Sequence, residues 1–515
     1  MTIVQQGAIN TTALIVPDLY VQIVPPQNLL LNGVPTDVLG MVGTAPWGPV
    51  NSPVIVGSMS DFAASFGTLI NRKHDLGTQV AIAVLQGASN FRLVRVTDGT
   101  DTAASCVLQS TCLTVTGKYT GSAGNGIVIT LAAGSAANTF QAVVTLPGAT
   151  PEIYNNIAGA GNAFWVNLAA AITSGNSALR GPSQLVTAVA GTGTAAPALT
   201  SYALAGGTDG VTTITTASLI GVDIAPRTGM YALRGQGCGI GVLSDLDDST
   251  SWTTQVAFGL SEGVYLVMTG PAGDNIANAV STKVAAGLDS YAGKLMFGDW
   301  IFWSDPVNAV TRLCSPAAFA AGRLANLSPE QSSLNKQIYG VVSSQKSGAP
   351  GSPTYSTYAT ADLSALLGAG IDVISNPQPG GAYWGVRGGH NTSSNEVIDG
   401  DNYTRLTNYI AATLSSGMGQ YVGQLVNTTL FQHIKATLLS FLSGMLTQGL
   451  LGSTDGRLPF AVVCDGSNNP LSRTALGYVQ ADVQVQYQAI NEKFIVNVQG
   501  GQSVVVSQTA TIPQQ

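Results

Sequence analysis

Continuous apolar runs alternate with helical patterns through much of this chain. The run at residues 38–43 is typical of a strand buried on both faces. Further strands are predicted at 91–96, 240–243, 264–269, 294–303 and 371–374, and helices at 76–85, 275–288, 316–324 and 362–367. This alternation, most regular over 215–375, predicts a mainly parallel sheet with helices on its faces.

The C-terminal part contains the clearest helical periodicity. Apolar residues recur at three- and four-residue steps over 421–446, and a shorter helical pattern precedes them at 401–414. Two helices are therefore predicted here. Glycines at 449 and 452 are expected to end the second helix.

A strictly alternating strand follows these helices. Val483, Val485 and Tyr487 lie on one predicted face and glutamines lie on the other, which is typical of a half-buried strand. The next β-rich run contains Phe494 and Val496. We expect the two runs to pair as a hairpin.

Residues 106–210 contain almost no charge. Short alternating runs are separated there by Gly, Ser, Ala and Thr, which predicts an inserted β-rich domain. Its charged residues are Lys118, Glu152, Arg180 and Asp209.

The two ends of the chain are uncharged and rich in β-forming residues. No Asp, Glu, Lys or Arg precedes Asp18, and none follows Lys493. Natural proteins usually protect such strand edges with charge or proline. We therefore expect both ends to pair with another chain, which favours a self-assembling protein over an enzyme. The residues expected to pair are Ile3, Val4, Leu14, Ile15, Val16, Val504, Val505 and Val506.

These patterns predict a multidomain α/β (α+β) fold, with a mixed or parallel sheet flanked by helices at its core. The predicted segments are an N-terminal arm (1–25), the first part of the core (26–105), the inserted β-rich domain (106–210), an α/β domain (211–375), a C-terminal domain with the long helix and the hairpin (376–499) and a C-terminal arm (500–515).

Composition narrows the possible functions. Charged residues make up 9% of the chain, against about 25% in ordinary soluble proteins. A chain that buries much of its surface against copies of itself needs less charge, although a secreted protein with a polar, uncharged surface has the same composition. The net charge of −7 and the lack of a basic patch disfavour nucleic acid as a partner. The sequence predicts neither a transmembrane helix nor a signal peptide.

Residue types that carry chemistry are scarce and scattered. The five cysteines show neither disulfide-framework nor zinc-site spacing, so free thiols are expected. His74, His390 and His433 belong to no catalytic pattern. The glycines of 235–241 do not follow the dinucleotide-binding spacing, and the acidic run 245–248 lacks the further ligands of a calcium loop. The sequence therefore predicts no cofactor and no enzymatic activity.

Several phrases together resemble the tail sheath proteins of contractile-tailed bacteriophages. Val16-Pro17-Asp18-Leu19-Tyr20-Val21 is similar to the family's Pro-Gly-Val-Tyr-Val opening, with Asp18 where glycine is common. Val42-Gly43-Thr44-Ala45-Pro46-Trp47-Gly48-Pro49 is similar to its Ala-x-x-Gly-Pro segment. Further similar phrases occur at 58–67, 91–96, 298–300, 312–318, 321–325, 328–336 and 369–374. Each phrase alone is weak, but their order over about 16–498 is specific.

The resemblance implies a structural subunit of a contractile sheath. Such subunits stack as hexameric rings around a tail tube, and contraction drives the tube through the host envelope during genome delivery. The implied partners are copies of this chain, the tail tube protein, and the baseplate and tail terminator proteins, without nucleic acid or direct membrane insertion. The implied location is the virion, after assembly in the host cytoplasm. The insert then forms an outer domain and the C-terminal domain an inner one.

The resemblance also implies how subunits are linked. Terminal arms add strands to a sheet of a neighbouring subunit. We expect the hairpin of 483–487 and 494–498 to be the acceptor sheet, the residues of 3–16 and 502–509 to be donors, and Gly7, Gly500 and Gly501 to act as hinges. Lys435, the one formal charge of the 421–446 helix, is a candidate contact with the tube, although the same helix also suits a core position.

Other assignments remain open on sequence alone. A phage-tail-like bacteriocin or a secretion system also uses a contractile sheath, and the extra inserted domain favours a phage tail. A secreted β-rich adhesin or hydrolase is the alternative from another class.

Overall fold

The computed structural model describes residues 2–4, 20–22, 31–177, 180–348 and 356–498. Its strands are β1 (Thr2–Val4), β2 (Tyr20–Gln22), β3 (Leu39–Gly43), β4 (Val54–Val56), β5 (Phe91–Arg95), β6 (Ser105–Leu108), β7 (Leu113–Gly117), β8 (Val128–Ala133), β9 (Phe140–Thr145), β10 (Glu152–Ile157), β11 (Val186–Ala190), β12 (Ser201–Ala203), β13 (Ile240–Leu243), β14 (Tyr265–Thr269), β15 (Gly293–Met296), β16 (Ile301–Asp305), β17 (Val310–Cys314), β18 (Val341–Ser344), β19 (Ile374–Ser375), β20 (Gly385–Val386), β21 (Phe460–Val463) and β22 (Asp482–Val485).

Its α-helices are α1 (Met59–Phe66), α2 (Leu76–Leu85), α3 (Asn162–Ser174), α4 (Thr216–Ile220), α5 (Trp252–Glu262), α6 (Ile276–Ala285), α7 (Pro316–Ala325), α8 (Thr360–Gly368), α9 (Asp401–Gly417), α10 (Thr428–Thr447) and α11 (Leu471–Thr474). No helix in the described ranges is long and apolar enough to cross a bilayer.

A six-stranded sheet forms the centre of the core. Its strand order is β15-β14-β13-β3-β5-β4, and all neighbours are parallel except β4, which runs antiparallel at one edge. β3 is buried along its whole length because helices cover both faces of a parallel sheet. The predicted mixed α/β fold with a parallel sheet flanked by helices is confirmed.

Helices α2 and α7 pack against each other on one face of this sheet. The approach is close enough that a Cβ on Gly322 would lie 2.6 Å from the Cα of Ala83. Glycine at 322 therefore allows the two helix backbones to meet, and a larger side chain there would force them apart. Apolar side chains of α2, α7 and the sheet share one buried core.

The segment between β5 and α4 has a core of its own. Sheets β10-β9-β8-β12 and β11-β7-β6 enclose this core together with α3, which contacts both β10 and β11. Trp47, from the loop after β3, is buried in the same core. Arg95, at the end of β5, donates hydrogen bonds from Nη1 to the carbonyl oxygens of Gly48 (2.7 Å) and Thr120 (2.8 Å). The insert is thus anchored to the central sheet by a buried aromatic ring and a buried guanidinium group.

The C-terminal domain departs from the sequence prediction at the start of its long helix. The helix predicted over 421–446 begins only at Thr428, as α10. Gly423 adopts a positive φ of 88°, which breaks the helix, and Asn427 caps α10 by accepting a hydrogen bond from the Leu430 N–H. Val422 and Leu425, expected in the apolar stripe, are instead exposed in the connecting loop.

The predicted hairpin between the C-terminal runs is wrong in its pairing. Val483 and Val485 lie in β22, but its antiparallel partner is β21, with Phe460 opposite Val485. Phe494 and Val496 belong to no strand. Alternation specified a half-buried strand at 482–485 without specifying its partner. The partner strand is β21, whose side chains pack against α10 in the same buried core.

Candidate functional site

The protein's own side chains occupy the space at the carboxyl ends of β3 and β13. Open α/β sheets bind ligands where the strand order reverses, which here is between β3 and β13. Asp245, just after β13, accepts hydrogen bonds at Oδ1 from Gln79 Nε2 (2.9 Å) and from the backbone N–H of Ser315 (3.0 Å), which precedes α7. The carboxylate thus binds α2 and α7 to the sheet edge.

Asp75 has a similar role beside it. The Oδ2 atom of this buried carboxylate caps α2, accepting hydrogen bonds from the N–H (2.8 Å) and the hydroxyl (2.6 Å) of Thr78. Burial raises the pKa of Asp75 to about 6, although the bonds from Thr78 and the charges of Arg72 and Arg312 oppose the rise. At this end of the sheet, buried hydrogen bonds therefore connect the strands to the helices.

Two of the histidines and Trp300 are either packed inside the protein or exposed on its surface. His74 Nδ1 lies 2.7 Å from the Ser244 carbonyl oxygen, and burial lowers the pKa of this imidazole. The indole of Trp300 is buried and donates to the Gly270 carbonyl oxygen (3.1 Å). His433 lies exposed on α10. Within the described residues, no group of three or more His, Cys, Asp or Glu side chains is placed to hold a metal ion.

A buried ion cluster joins the central sheet to the C-terminal domain. Lys294, in β15, has no exposed surface, and its Nζ lies 2.6 Å from Asp372 Oδ2 and 3.1 Å from Asp401 Oδ1. Asp401 is the first residue of α9. Asp372 also accepts hydrogen bonds from the N–H groups of Gly388 and Gly389, at 2.7 Å each. We call Lys294, Asp372 and Asp401 the core ion cluster.

Hydrogen bonds complete the environment of Asp401. The hydroxyl of Tyr265 donates to Oδ1 (2.6 Å), and Ser333 donates to Oδ2 from its N–H (3.1 Å) and from its hydroxyl. Burial alone would raise the pKa of Asp401, but the charge of Lys294 and the bonds from Ser333 and Tyr265 hold it below its ordinary value. Burial likewise opposes the charge of Lys294, whose pKa Asp372 and Asp401 keep raised. Sequence reasoning missed the cluster, although a lysine at the start of an apolar strand was a signal.

The predicted arm residues are only partly described. Ile3 and Val4 lie in β1, which pairs in parallel with β2 of the same chain. Leu14, Ile15, Val16, Val504, Val505 and Val506 lie outside the described residues, as do the predicted hinges Gly7, Gly500 and Gly501.

The C-terminal sheet and the segment beyond it expose groups suited to strand addition. β21 and β22 form a two-stranded sheet, and no third described strand covers either edge. Val483, Val485 and Tyr487 pack partly against the domain core. Beyond residue 492, apolar side chains are exposed: Phe494 by 82%, Ile495 by 80%, Val496 by 63% and Val498 by 87%. Exposed apolar patches of this kind are typical of interaction sites.

Helix α10 separates an apolar face from a polar one. Its apolar stripe is buried in the domain core, with Leu430, Ile434 and Leu438 among the buried side chains. The opposite face is exposed and carries mainly Thr, Gln and Ser. Lys435 is half-buried between the two faces. The structure thus gives α10 a packing role and leaves a polar surface free.

Comparisons with solved structures find the same architecture in other proteins. A sheath tail protein from Desulfitobacterium hafniense is 17% identical, with a TM-score of 0.58 over 86% of this chain and 92% of that one. A sheath tail protein from Listeria innocua is 14% identical, with a TM-score of 0.59 over 85% and 90%. The sheath of an extracellular contractile injection system, in its contracted state, is 12% identical, with a TM-score of 0.54 over 95% and 98%.

The chain has the fold of a tail sheath protein. The resemblance in the sequence phrases is therefore confirmed at the level of fold. No family model and no curated protein matches the sequence.

The core ion cluster predicts a large effect of one substitution. Lys294→Met removes the positive charge and leaves two buried carboxylates unpaired. The free energy of unfolding should fall by about 3–5 kcal/mol, measured by denaturant titration at neutral pH. Lys73→Met is the matched control, because Lys73 pairs with Asp247 at 3.0 Å on the surface and should cost at most about 1 kcal/mol. Equal losses in the two variants would contradict the assigned role.

Asp75 predicts a specific pH dependence. Its raised pKa means that the folded state favours the protonated acid, so this contribution to stability is present below about pH 4 and is lost as pH rises through about 6. Asp75→Asn keeps the capping oxygen and cannot titrate. Between pH 5 and pH 7, the wild type should lose about 1 kcal/mol of unfolding free energy relative to Asp75→Asn. A difference that stays constant with pH would show that burial does not perturb Asp75.

Proposed function

We propose that this chain is the structural subunit of a contractile tail sheath. Subunits polymerise as stacked hexameric rings around a tail tube, and contraction drives the tube through the host envelope during genome delivery. The observation that carries the proposal is the match to sheath folds over 85–95% of the chain. The assembled particle is a phage virion, built in the host cytoplasm.

The linkage between subunits is strand addition. The acceptor is the two-stranded sheet of β21 and β22, whose edges are covered by no third described strand. Residues 494–498 belong to no described strand and their apolar side chains are exposed, which supports a donor role for this segment. Each subunit then donates arms and accepts them, so contacts propagate from head to tail and do not close.

The inner contact is made by the polar face of α10. This face is exposed and nearly uncharged, with Lys435 at its border, so it suits polar contacts with a tail tube protein. Hinges at Gly7, Gly500 and Gly501 are part of the proposal, because glycine tolerates the backbone changes that a rotating subunit imposes. Baseplate and tail terminator proteins are the proposed partners at the two ends of the sheath. One similar chain comes from the baseplate of the anti-feeding prophage.

A sheath of an injection system or a phage-tail-like bacteriocin is the second candidate. The match to the extracellular injection-system sheath covers 95% of this chain and therefore extends over the insert. The insert alone thus does not favour a phage. Electron microscopy of the purified protein tests the shared proposal: hollow tubes or rings support it, and dispersed monomers contradict it.

Truncation of the C-terminal end should separate folding from assembly. Deletion of residues 502–515 removes a donor arm and leaves every described contact in place. We expect an unchanged thermal unfolding midpoint and no tubes by electron microscopy. Tubes formed by the truncated chain would show that this end does not link subunits.

A substitution in the exposed apolar segment should also affect assembly without affecting folding. Ile495→Asp places a charge where a donor strand would be buried, so tube formation should be lost while unfolding free energy changes by less than about 0.5 kcal/mol. Ile224→Asp is the control, because Ile224 is also largely exposed, at 73%, but lies outside the arm. If both variants form tubes as the wild type does, residues 494–498 are not a donor.

A further inference from the structure

The last described segment contacts the core through Glu492, shortly before its exposed end. His390 Nε2 lies 2.7 Å from Glu492 Oε1, and His390 Nδ1 lies 3.5 Å from Asp399 Oδ2. The imidazole therefore lies between a carboxylate of a core loop and a carboxylate of the departing segment. The apolar side chains from residue 494 onward are exposed.

Further contacts hold the same segment against the start of α9. The Asn402 side chain donates from Nδ2 to the Gln488 carbonyl oxygen at 3.0 Å. The ring of Tyr487 packs edge-on against that of Tyr403, with centroids 5.8 Å apart, and its hydroxyl lies 3.1 Å from Thr407 Oγ1. These contacts, together with the His390–Glu492 pair, form what we call the clasp.

His390 also contacts the central sheet. Its carbonyl oxygen accepts a hydrogen bond from Lys294 Nζ at 3.0 Å. The side chain of one residue thus binds the departing segment, and its backbone binds the core ion cluster.

Several carboxylates surround the imidazole of the clasp. Glu396, Asp399 and Glu492 line one cleft of about 210 Å³. Burial raises the pKa of Asp399, and the charges of Glu492 and Glu396 add to the rise while His390 opposes it. Without His390, Glu492 would face carboxylates alone and would be pushed away from the core.

We propose that His390 and Glu492 anchor the root of the C-terminal arm, so that the free arm begins at Lys493 and tension on it passes through His390 into the central sheet. The role of the arm rests on the proposed sheath function, but the anchor exists within one subunit. His390 is a positioning residue in this proposal.

Limited trypsin digestion of dissociated subunits tests the anchor. Trypsin cuts after Lys493, at the edge of the clasp, and after Arg457, whose side chain is 87% exposed and distant in sequence. The measured quantity is the ratio of the two cleavage rates. His390→Leu should raise this ratio roughly twofold to fivefold, as expected for loss of a partly exposed hydrogen bond.

Two control variants show whether the change in cleavage results from loss of the His390–Glu492 contact. His390→Gln retains an N–H donor for Glu492 and should keep the ratio near that of the wild type. His433→Leu removes an exposed histidine of α10 and should leave the ratio unchanged. Global unfolding would be recognised by cleavage after the buried Lys294. An unaltered ratio in folded His390→Leu would overturn the proposal.

The experiments test the sheath proposal and the clasp proposal independently. If the wild type forms no tubes, the sheath function fails, and the cleavage ratio still decides whether the clasp exists. If tubes form and His390→Leu is cleaved like the wild type, only the clasp fails.

Discussion

The core ion cluster is the interaction on which the rest of this structure depends. It places one ammonium group and two carboxylates where no water reaches, so the charges are tolerable only when all three are present and hydrogen-bonded. Because Lys294 belongs to the central sheet and Asp401 begins α9, the cluster fixes the C-terminal domain in one position on the core. Apolar contacts alone would allow more sliding, since they are not directional.

The scarcity of charge has a second consequence. Several of the few cations in the chain lie inside the protein, where they join segments that are distant in sequence. Arg95 connects the insert to the core, and Arg312 bonds to Thr78 of α2 at 2.8 Å. Arg405 donates to the carbonyl oxygens of Leu327 (2.7 Å) and Ser328 (2.9 Å). Because several charged side chains are buried, the surface of the protein carries little charge. Desolvating such a surface against another copy of the chain costs little free energy.

Local sequence patterns predicted the elements better than their partners. The run at 38–43 identifies β3 because burial on both faces needs apolar residues at every position. Alternation around Val483 identifies β22, but the same alternation fits any neighbouring strand, so β21 as its partner was not predictable. The core ion cluster escaped prediction because Asp372 and Asp401 lie 78 and 107 positions from Lys294. Sequence periodicity does not indicate which residues meet when they are so far apart in the chain.

In the proposed sheath, each subunit combines a packed body with terminal arms that bind neighbouring copies. Under this proposal, the angle between subunits changes while the links between them persist. Main-chain hydrogen bonds of an added strand survive such a change, since they do not depend on particular side chains. The same proposal requires the body of the subunit to resist tension from its arms. A satisfied ion cluster under the root of the arm meets this need, because charged hydrogen bonds in a dry interior have fixed geometry and no water to replace them.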